Sequence, residues 1–113
     1  MTLVKNAFPR YDDDLPVIEG FEDHSYKNDA CPCIGKDFGN EQYLMIYCDY
    51  KNPELSECHD GGEKYYRYCV ILDLAMDRNQ INPKVLGTFE TLDEVKQLIL
   101  NKSIEDFINM EEA

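Results

Sequence analysis

The sequence predicts an α+β fold: a three- or four-stranded antiparallel sheet with one or two C-terminal helices packed on one face and a loop-rich N-terminal wrap. Two runs rich in β-branched and aromatic residues, 42–50 and 64–74, are typical of strands. Beyond them, the apolar spacing becomes helical after a start signature at Thr91. With 113 residues, the chain has the length of a single domain. Its predicted parts are the wrap over 1–40, the sheet over 42–90 and the helices over 91–110.

The two strand-like runs should pair at the centre of the sheet, with a third strand over 84–89. We predict a register that sets Ile46 opposite Cys69. This register leaves apolar side chains on both faces of the pair, as in a sheet covered by a helix on one side and by the N-terminal wrap on the other. One predicted face holds Tyr43, Met45, Tyr47, Tyr68, Val70 and Leu72.

The first 40 residues are predicted to be mostly loop, because prolines and glycines interrupt any helical period. Residues 15–21 fit a short edge strand, since Pro16 at its start is tolerated where the missing N–H faces solvent. A compact domain seldom contains so long a structureless segment, so its aromatic side chains should anchor it on the sheet.

Two helix starts are visible near the C-terminus. Thr91 with Glu94 forms an S/T-x-x-E capping box, which would satisfy two backbone amides, and the helix should end near Asn101. Ser103 with Asp106 is expected to cap a second, short helix. The apolar positions of the first helix are Leu92, Val95, Leu98 and Ile99.

The chain is strongly acidic, with 23 acidic against 11 basic residues and a net charge of −12. This charge repels phosphate backbones and anionic membranes, and no Lys/Arg cluster offsets it, so we expect neither nucleic-acid nor membrane binding. No run of this sequence has the pattern of a secretion signal or the length of a membrane-spanning helix, so we expect neither. Five cysteines, an odd number, do not suggest a closed disulfide framework. We therefore expect a cytoplasmic location with free thiols.

Negative charge is concentrated in residues 1–63, which hold 14 acidic and 5 basic side chains. We therefore predict a non-enzymatic acidic protein that binds a basic protein surface, as an inhibitor that mimics nucleic acid and blocks its binding site. In size and charge alone the chain is similar to small acidic anti-defence proteins of phages and mobile elements. Charges that only keep the domain soluble are the alternative. The candidate contacts are Asp12, Asp13, Asp14, Glu19, Glu22, Asp23, Glu54, Glu57 and Asp60, with Tyr50 as an aromatic anchor beside them.

A cysteine and histidine set suggests a second function class. Cys31, Cys33, Cys58 and His59 supply four ligands of the type that tetrahedral zinc prefers. The spacing is poor, because Cys-x-Cys is tighter than in structural zinc sites and adjacent side chains diverge. We therefore predict no metal or cofactor, with a small zinc-stabilised regulatory module as the alternative.

A thiol-dependent enzyme is the third hypothesis, with Cys31 or Cys33 as nucleophile and His24 or His59 as base. No spacing in the sequence fixes that geometry. The sequence also lacks a P-loop, a nucleophile elbow and a dinucleotide-binding glycine pattern. We therefore predict no catalytic residues.

Overall fold

The computed structural model of the chain describes residues 7–25, 31–39, 42–55, 66–74 and 84–111. They form an antiparallel five-stranded sheet in chain order, followed by two helices, which confirms the α+β class. The strands are β1 (Glu22–Asp23), β2 (Cys33–Asp37), β3 (Gln42–Cys48), β4 (Tyr68–Leu74) and β5 (Lys84–Phe89). The helices are α1 (Leu92–Ile99) and α2 (Ile104–Asn109), and a 3-10 turn covers Pro53–Leu55.

The strand count of three or four was wrong, because β1 and β2 extend the sheet to five strands. Pro32 and Gly35 lower the strand propensity around β2 and hide it in the sequence. The connection to β3 carries a turn signal, since Gly39 has a φ of 86°, which glycine adopts without steric cost. Its amide donates to Asp37 Oδ1 at 2.7 Å and helps to fix the turn.

The predicted edge strand over 15–21 is not formed. Its extended path is broken by a turn in which the Phe21 amide donates to the Ile18 carbonyl oxygen at 3.0 Å. Gly20, with a φ of 85°, lies inside this turn. The edge of the sheet is instead β1, which begins immediately after it.

The predicted strands over 42–50, 64–74 and 84–89 correspond to β3, β4 and β5, although β4 starts only at Tyr68 and residues 64 and 65 lie outside the described ranges. The predicted register was wrong by one residue, since Ile46 lies opposite Val70 and not Cys69. β3 and β4 are apolar at consecutive positions, so either register buries apolar side chains and the pattern cannot choose between them.

The hydrophobic core lies on one face of the sheet. That face holds Leu44, Ile46, Cys48, Tyr68, Val70 and Leu72, all of them buried. Helix side chains Val95 and Phe107 complete the cluster, and Leu15, Ile18 and Phe21 of the N-terminal segment pack against the same cluster. This part of the wrap, residues 15–21, therefore lies on the same side of the sheet as the helices, whereas the prediction placed the wrap on the opposite side.

The helix starts are confirmed, with one difference at the first. The Glu94 amide donates to Thr91 Oγ1 at 3.3 Å, but the Glu94 carboxylate accepts from the Thr91 hydroxyl, so only half of the predicted capping box forms. At α2 both bonds are present between Ser103 and Asp106. Asn101 has a φ of 57° and follows the end of α1. Neither helix in the described ranges is long and apolar enough to span a membrane.

A lysine at the start of β5 joins the sheet to the last helix. Lys84 Nζ donates to the carbonyl oxygens of Ile108 and Met110 at 2.7 Å each. These carbonyls lie at the C-terminal end of α2, where a cation is favourable. The contact helps to hold α2 against the sheet with Phe107 facing inward.

Replacing Phe107 by alanine should destabilise the protein by about 3–5 kcal/mol, because this side chain is 1% exposed and fills the core. The neighbouring Ile108→Ala is the matched control, since Ile108 is 38% exposed and should lose well under half as much. Urea unfolding monitored by circular dichroism measures both. Equal losses would contradict the assigned face of α2.

Candidate functional site

Arg67 is the centre of a polar network at the end of the β3–β4 pair. The Asp49 amide donates to the Arg67 carbonyl oxygen at 2.9 Å and continues the pairing past both strands. Arg67 Nε returns a hydrogen bond to the Asp49 carbonyl oxygen at 2.8 Å. The Arg67 side chain is only 13% exposed, so its charge needs close partners.

The N-terminal segment supplies those partners. Arg67 Nη2 lies 2.8 Å from Asp13 Oδ2 and 3.4 Å from the Tyr11 hydroxyl. The hydrogen bond from Arg67 lowers the pKa of Asp13. Burial opposes the charge of Arg67, but its hydrogen bonds with Asp13 and Tyr11 outweigh burial and raise its pKa. Arg67 thereby fixes residues 11–13 against the sheet end.

Asp12 attaches the N-terminal segment a second time, to the loop that follows β3. Its two carboxylate oxygens accept from the backbone amides of Lys51 and Asn52 at 2.8 Å each. Desolvation raises the pKa of Asp12, but these two hydrogen bonds outweigh it and the net pKa is lowered. Of the acidic run 12–14, two carboxylates therefore hold the fold together.

Two tyrosines pack beside this network. The rings of Tyr11 and Tyr50 meet edge to face with their centroids 5.4 Å apart. Burial raises the pKa of the Tyr11 hydroxyl, which keeps it a neutral donor. The predicted anchor Tyr50 is therefore already half-buried against another ring, which leaves only part of it for a partner.

An acidic cleft of about 650 Å³ lies next to the network. Four carboxylates line it: Asp13, Asp14, Glu22 and Asp23. Its apolar lining comes from Phe8, Leu15, Val17, Phe21 and Ile34. Val17 is 94% exposed, which leaves a large apolar surface in water beside the acidic side chains. We call this site the acidic cleft.

A second cleft, of about 690 Å³, is lined by residues 17–21 and shares Val17 and Phe21 with the acidic cleft. Its charged lining is Lys36, Lys96, Lys102 and Glu19. The 59% exposed side chain of Leu100 also lines it. We call it the lysine cleft, because it concentrates positive charge on an acidic protein.

The structure brings together four of the predicted contacts, Asp13, Asp14, Glu22 and Asp23, at the acidic cleft. Glu19 lies at the lysine cleft instead. Glu54 lies in the 3-10 turn and is exposed. Glu57 and Asp60 lie outside the described residues.

Only two of the four candidate zinc ligands lie within the described residues. Cys31 and Cys33 are buried, and Cys58 and His59 lie outside the described residues. Within the described ranges, no group of three or more metal-ligating side chains is present. Burial raises the pKa of the core thiol Cys48 to about 12, so it stays protonated at neutral pH.

The enzyme hypothesis needs a cysteine and a histidine in contact, and Cys31, Cys33 and His24 lie within the described residues. Cys33 Sγ lies 3.3 Å from the carbonyl oxygen of His24, a contact that does not involve the imidazole. The imidazole instead packs against Gly35 and lies 6.1 Å from the Tyr43 ring. An alanine Cβ at Gly35 would approach Met45 Sδ to 2.7 Å, so glycine permits this packing.

Comparison with known proteins gives no assignment, since no family model, curated protein or solved structure matches the chain.

The sequence analysis missed two residues that organise this region, Arg67 and Asp49, whereas Tyr11 is one of the aromatic side chains that it predicted to anchor the N-terminal wrap. A signal exists for Arg67, because a lone arginine in an apolar strand must find an acidic partner. The partner lies 54 positions away in Asp13, and no local rule connects the two.

Arg67→Met should destabilise the protein by about 1–3 kcal/mol, because the Asp49 carbonyl and the Tyr11 hydroxyl lose a donor and Asp13 loses its cation. Arg10→Met removes an exposed cation of the same segment and should change stability by no more than about 0.5 kcal/mol. Chemical denaturation of both variants measures the difference. Similar small effects would contradict the role of the network.

Acid should weaken the same region. Asp12 and Asp13 have lowered pKa values in the folded protein, so their stabilisation is full above the unfolded value of about 3.9 and is lost as pH falls through the folded values. The stability difference between wild type and Asp13→Asn should therefore shrink below about pH 4.

Urea unfolding between pH 7 and pH 3 measures this dependence. Repeating the Asp13→Asn comparison in an Arg67→Met background is the control, because the pH-dependent difference requires the arginine. A difference that persists without Arg67 would assign the effect to another group.

Proposed function

We propose that this chain is a non-enzymatic acidic protein whose N-terminal surface binds a basic surface of another macromolecule. The observation that carries the proposal is the acidic cleft, where carboxylates from residues 13–14 and from β1 converge around an apolar lining. Complementary charge speeds association and discriminates between partners. A cytoplasmic basic protein is the partner class that we expect.

The network divides the acidic residues into two groups. Asp12 and Asp13 are engaged within the fold. Asp14, Glu19 and Glu22 are exposed, and their charge faces solvent where a partner can meet it. The second group is therefore the better source of binding energy, while the first group orients the segment that carries it.

An inhibitor that mimics nucleic acid is the specific form of this proposal. A basic site that normally binds phosphates would attract the same cluster of carboxylates. Competition is the test of this form: labelled DNA or RNA should be displaced from the partner, and displacement should weaken with salt. Binding without displacement would leave an acidic binding protein but contradict the mimic.

Neutralising the exposed carboxylates should slow association with a cationic partner. The variant Asp14→Asn/Glu19→Gln/Glu22→Gln removes three charges from the N-terminal surface and leaves Asp12 and Asp13 in place. Its on-rate for a fluorescent oligolysine peptide should fall about three- to tenfold at low salt and converge with wild type as salt rises. Stopped-flow anisotropy measures the rates.

The matched control is Asp93→Asn/Glu105→Gln/Glu111→Gln, which removes three exposed charges from the C-terminal region. It should keep most of the wild-type on-rate. If the two variants slow association equally, the N-terminal charges act only through the net charge of the protein, and the proposed binding surface is wrong.

A further inference from the structure

The lysine cleft holds positive charge that the fold does not neutralise. Lys36, Lys96 and Lys102 line it together with one carboxylate, Glu19. Within the described part of the chain, neither Lys36 nor Lys96 forms an ion pair with Glu19 or with any other carboxylate. The chain has 23 acidic residues for 11 basic ones, so carboxylate partners are not scarce. The cleft therefore presents cations that are available to a ligand.

Lys36 is the least expected of these cations, because it lies on the core face of the sheet. It is opposite Leu44 in the register, and Leu44 and Ile34, two positions earlier in β2, are both buried. Lys36 is half-buried, and its Nζ lies 5.1 Å from the centroid of the Phe38 ring. The ring attracts the ammonium group but supplies no oxygen acceptor, so an anion in the cleft would add charge-assisted hydrogen bonds.

Structural roles account for two of the lysines but not for the group. A lysine where β2 extends past the two-residue strand β1 can discourage edge-to-edge pairing, which would explain Lys36. Lys102 Nζ donates to the Leu98 carbonyl oxygen near the C-terminal end of α1, where a cation is favourable. Lys96 is exposed on α1, and neither role applies to it. All three side chains share the cleft, and Lys102 has further N–H donors for a ligand.

The remaining lining of the lysine cleft is largely apolar. Leu100, directly after α1, is 59% exposed, and the half-buried Ile99 and Phe21 also line the cleft. An inorganic anion would leave this surface in water, whereas an anion with an apolar chain would cover it. The volume of about 690 Å³ is within the range of small-molecule sites. Charge and lining together match an amphiphilic anion.

The net charge of the chain limits the source of that anion. A charge of −12 repels nucleic acids and anionic bilayers, which present many charges over a large area, and it repels a second copy of the chain. A small ligand with one or two charges meets mainly the nearby lysines, because physiological salt screens charges more than about 8 Å away. A soluble small molecule is therefore the class of ligand that this cleft fits.

We propose that the lysine cleft binds a soluble amphiphilic anion, a small molecule that carries a phosphate or carboxylate group on an apolar chain. Lys36, Lys96 and Lys102 bind the anionic group, and Leu100 covers the chain. Asp14 and Glu22 do not line this cleft, so the inference goes beyond the proposed function and does not rest on it.

The test compares three probes on the intact chain: octyl phosphate, methyl phosphate and octyltrimethylammonium, each below the concentration at which it forms micelles. Octyl phosphate should bind about five- to tenfold more tightly than methyl phosphate, because its chain covers apolar surface in the cleft. Octyltrimethylammonium has the same chain with a positive charge and should not bind. Amide chemical shifts of labelled protein give the affinities and should move at Gly20, Lys36 and Leu100.

Lys36→Gln/Lys96→Gln should weaken octyl phosphate binding about three- to tenfold, since it removes two of the cations that line the cleft. The matched control is Arg10→Gln/Lys51→Gln, which removes two exposed cations outside the cleft and changes the net charge equally. Lys96→Gln alone leaves the half-buried Lys36 in place and should give a smaller loss in the same direction. Thermal unfolding verifies that the variants fold.

Leu100→Ser should remove most of the preference for octyl phosphate over methyl phosphate. Leu100 lines the lysine cleft and not the acidic cleft, whereas Val17 lines both and would not separate them. Ile108→Ser is the matched control, because Ile108 is a 38% exposed apolar side chain outside the cleft, and this variant should keep the preference.

Equal binding of octyl and methyl phosphate overturns the proposal, and so do equal losses in the two double variants. Octyltrimethylammonium that moves the same amide signals also overturns it, because apolar contact alone would then explain binding. Dimerisation in sedimentation velocity that Lys36→Gln/Lys96→Gln abolishes would assign the cleft to a second copy of the chain. Flotation of the protein with phosphatidic acid vesicles would assign it to a membrane surface. Each of these results leaves the oligolysine test of the proposed function unaffected.

Discussion

The hydrogen bonds of Arg67 are the constraint on which the N-terminal half of the structure depends. A guanidinium that is 13% exposed must find acceptors, and its position immediately before β4 determines which acceptors are near. Asp49 is reached through the strand pairing, whereas Asp13 and Tyr11 must come from the beginning of the chain. The segment is therefore placed by the side-chain hydrogen bonds of Arg67 and of Asp12 more than by its own secondary structure.

The same constraint shapes the surface. Once residues 11–13 are fixed, the chain continues through Leu15, Ile18 and Phe21, which reach the core on the helix side of the sheet. It then enters β1 at the sheet edge. Asp14 and Glu22, eight positions apart, meet at one cleft because the chain between them follows this short path. An acidic surface here is a consequence of packing, and its apolar lining comes from the same segment.

The elements with strong local signals were predictable from the sequence. The central strands, the third strand and both helix starts depend on neighbouring residues, as at Thr91 and Ser103. The register and the sides of the sheet were not predictable, because Ile46 and Cys69 lie in strands with two apolar faces. β2 was missed where Pro32 and Gly35 weaken its propensity, although glycine is required there to admit His24 and Met45. The acidic character of the site was predictable from charge density, but the cleft depends on pairing between Arg67 and Asp13, which a local pattern does not contain.

The carboxylates that give the chain its net charge of −12 include two groups with different effects on folding stability. Asp12 and Asp13 accept hydrogen bonds inside the fold, so their ionisation stabilises the native state. Asp14 and Glu22 repel their neighbours and contribute little to folding. Both groups lie within a dozen residues, so exposed charge sits on a segment that attractive contacts attach to the sheet. A flexible acidic tail would spread such charges over many conformations, whereas a segment attached in this way keeps them in one arrangement. The contacts of Arg67 with Asp13 and Tyr11 thus help to determine where the neighbouring Asp14 carboxylate lies.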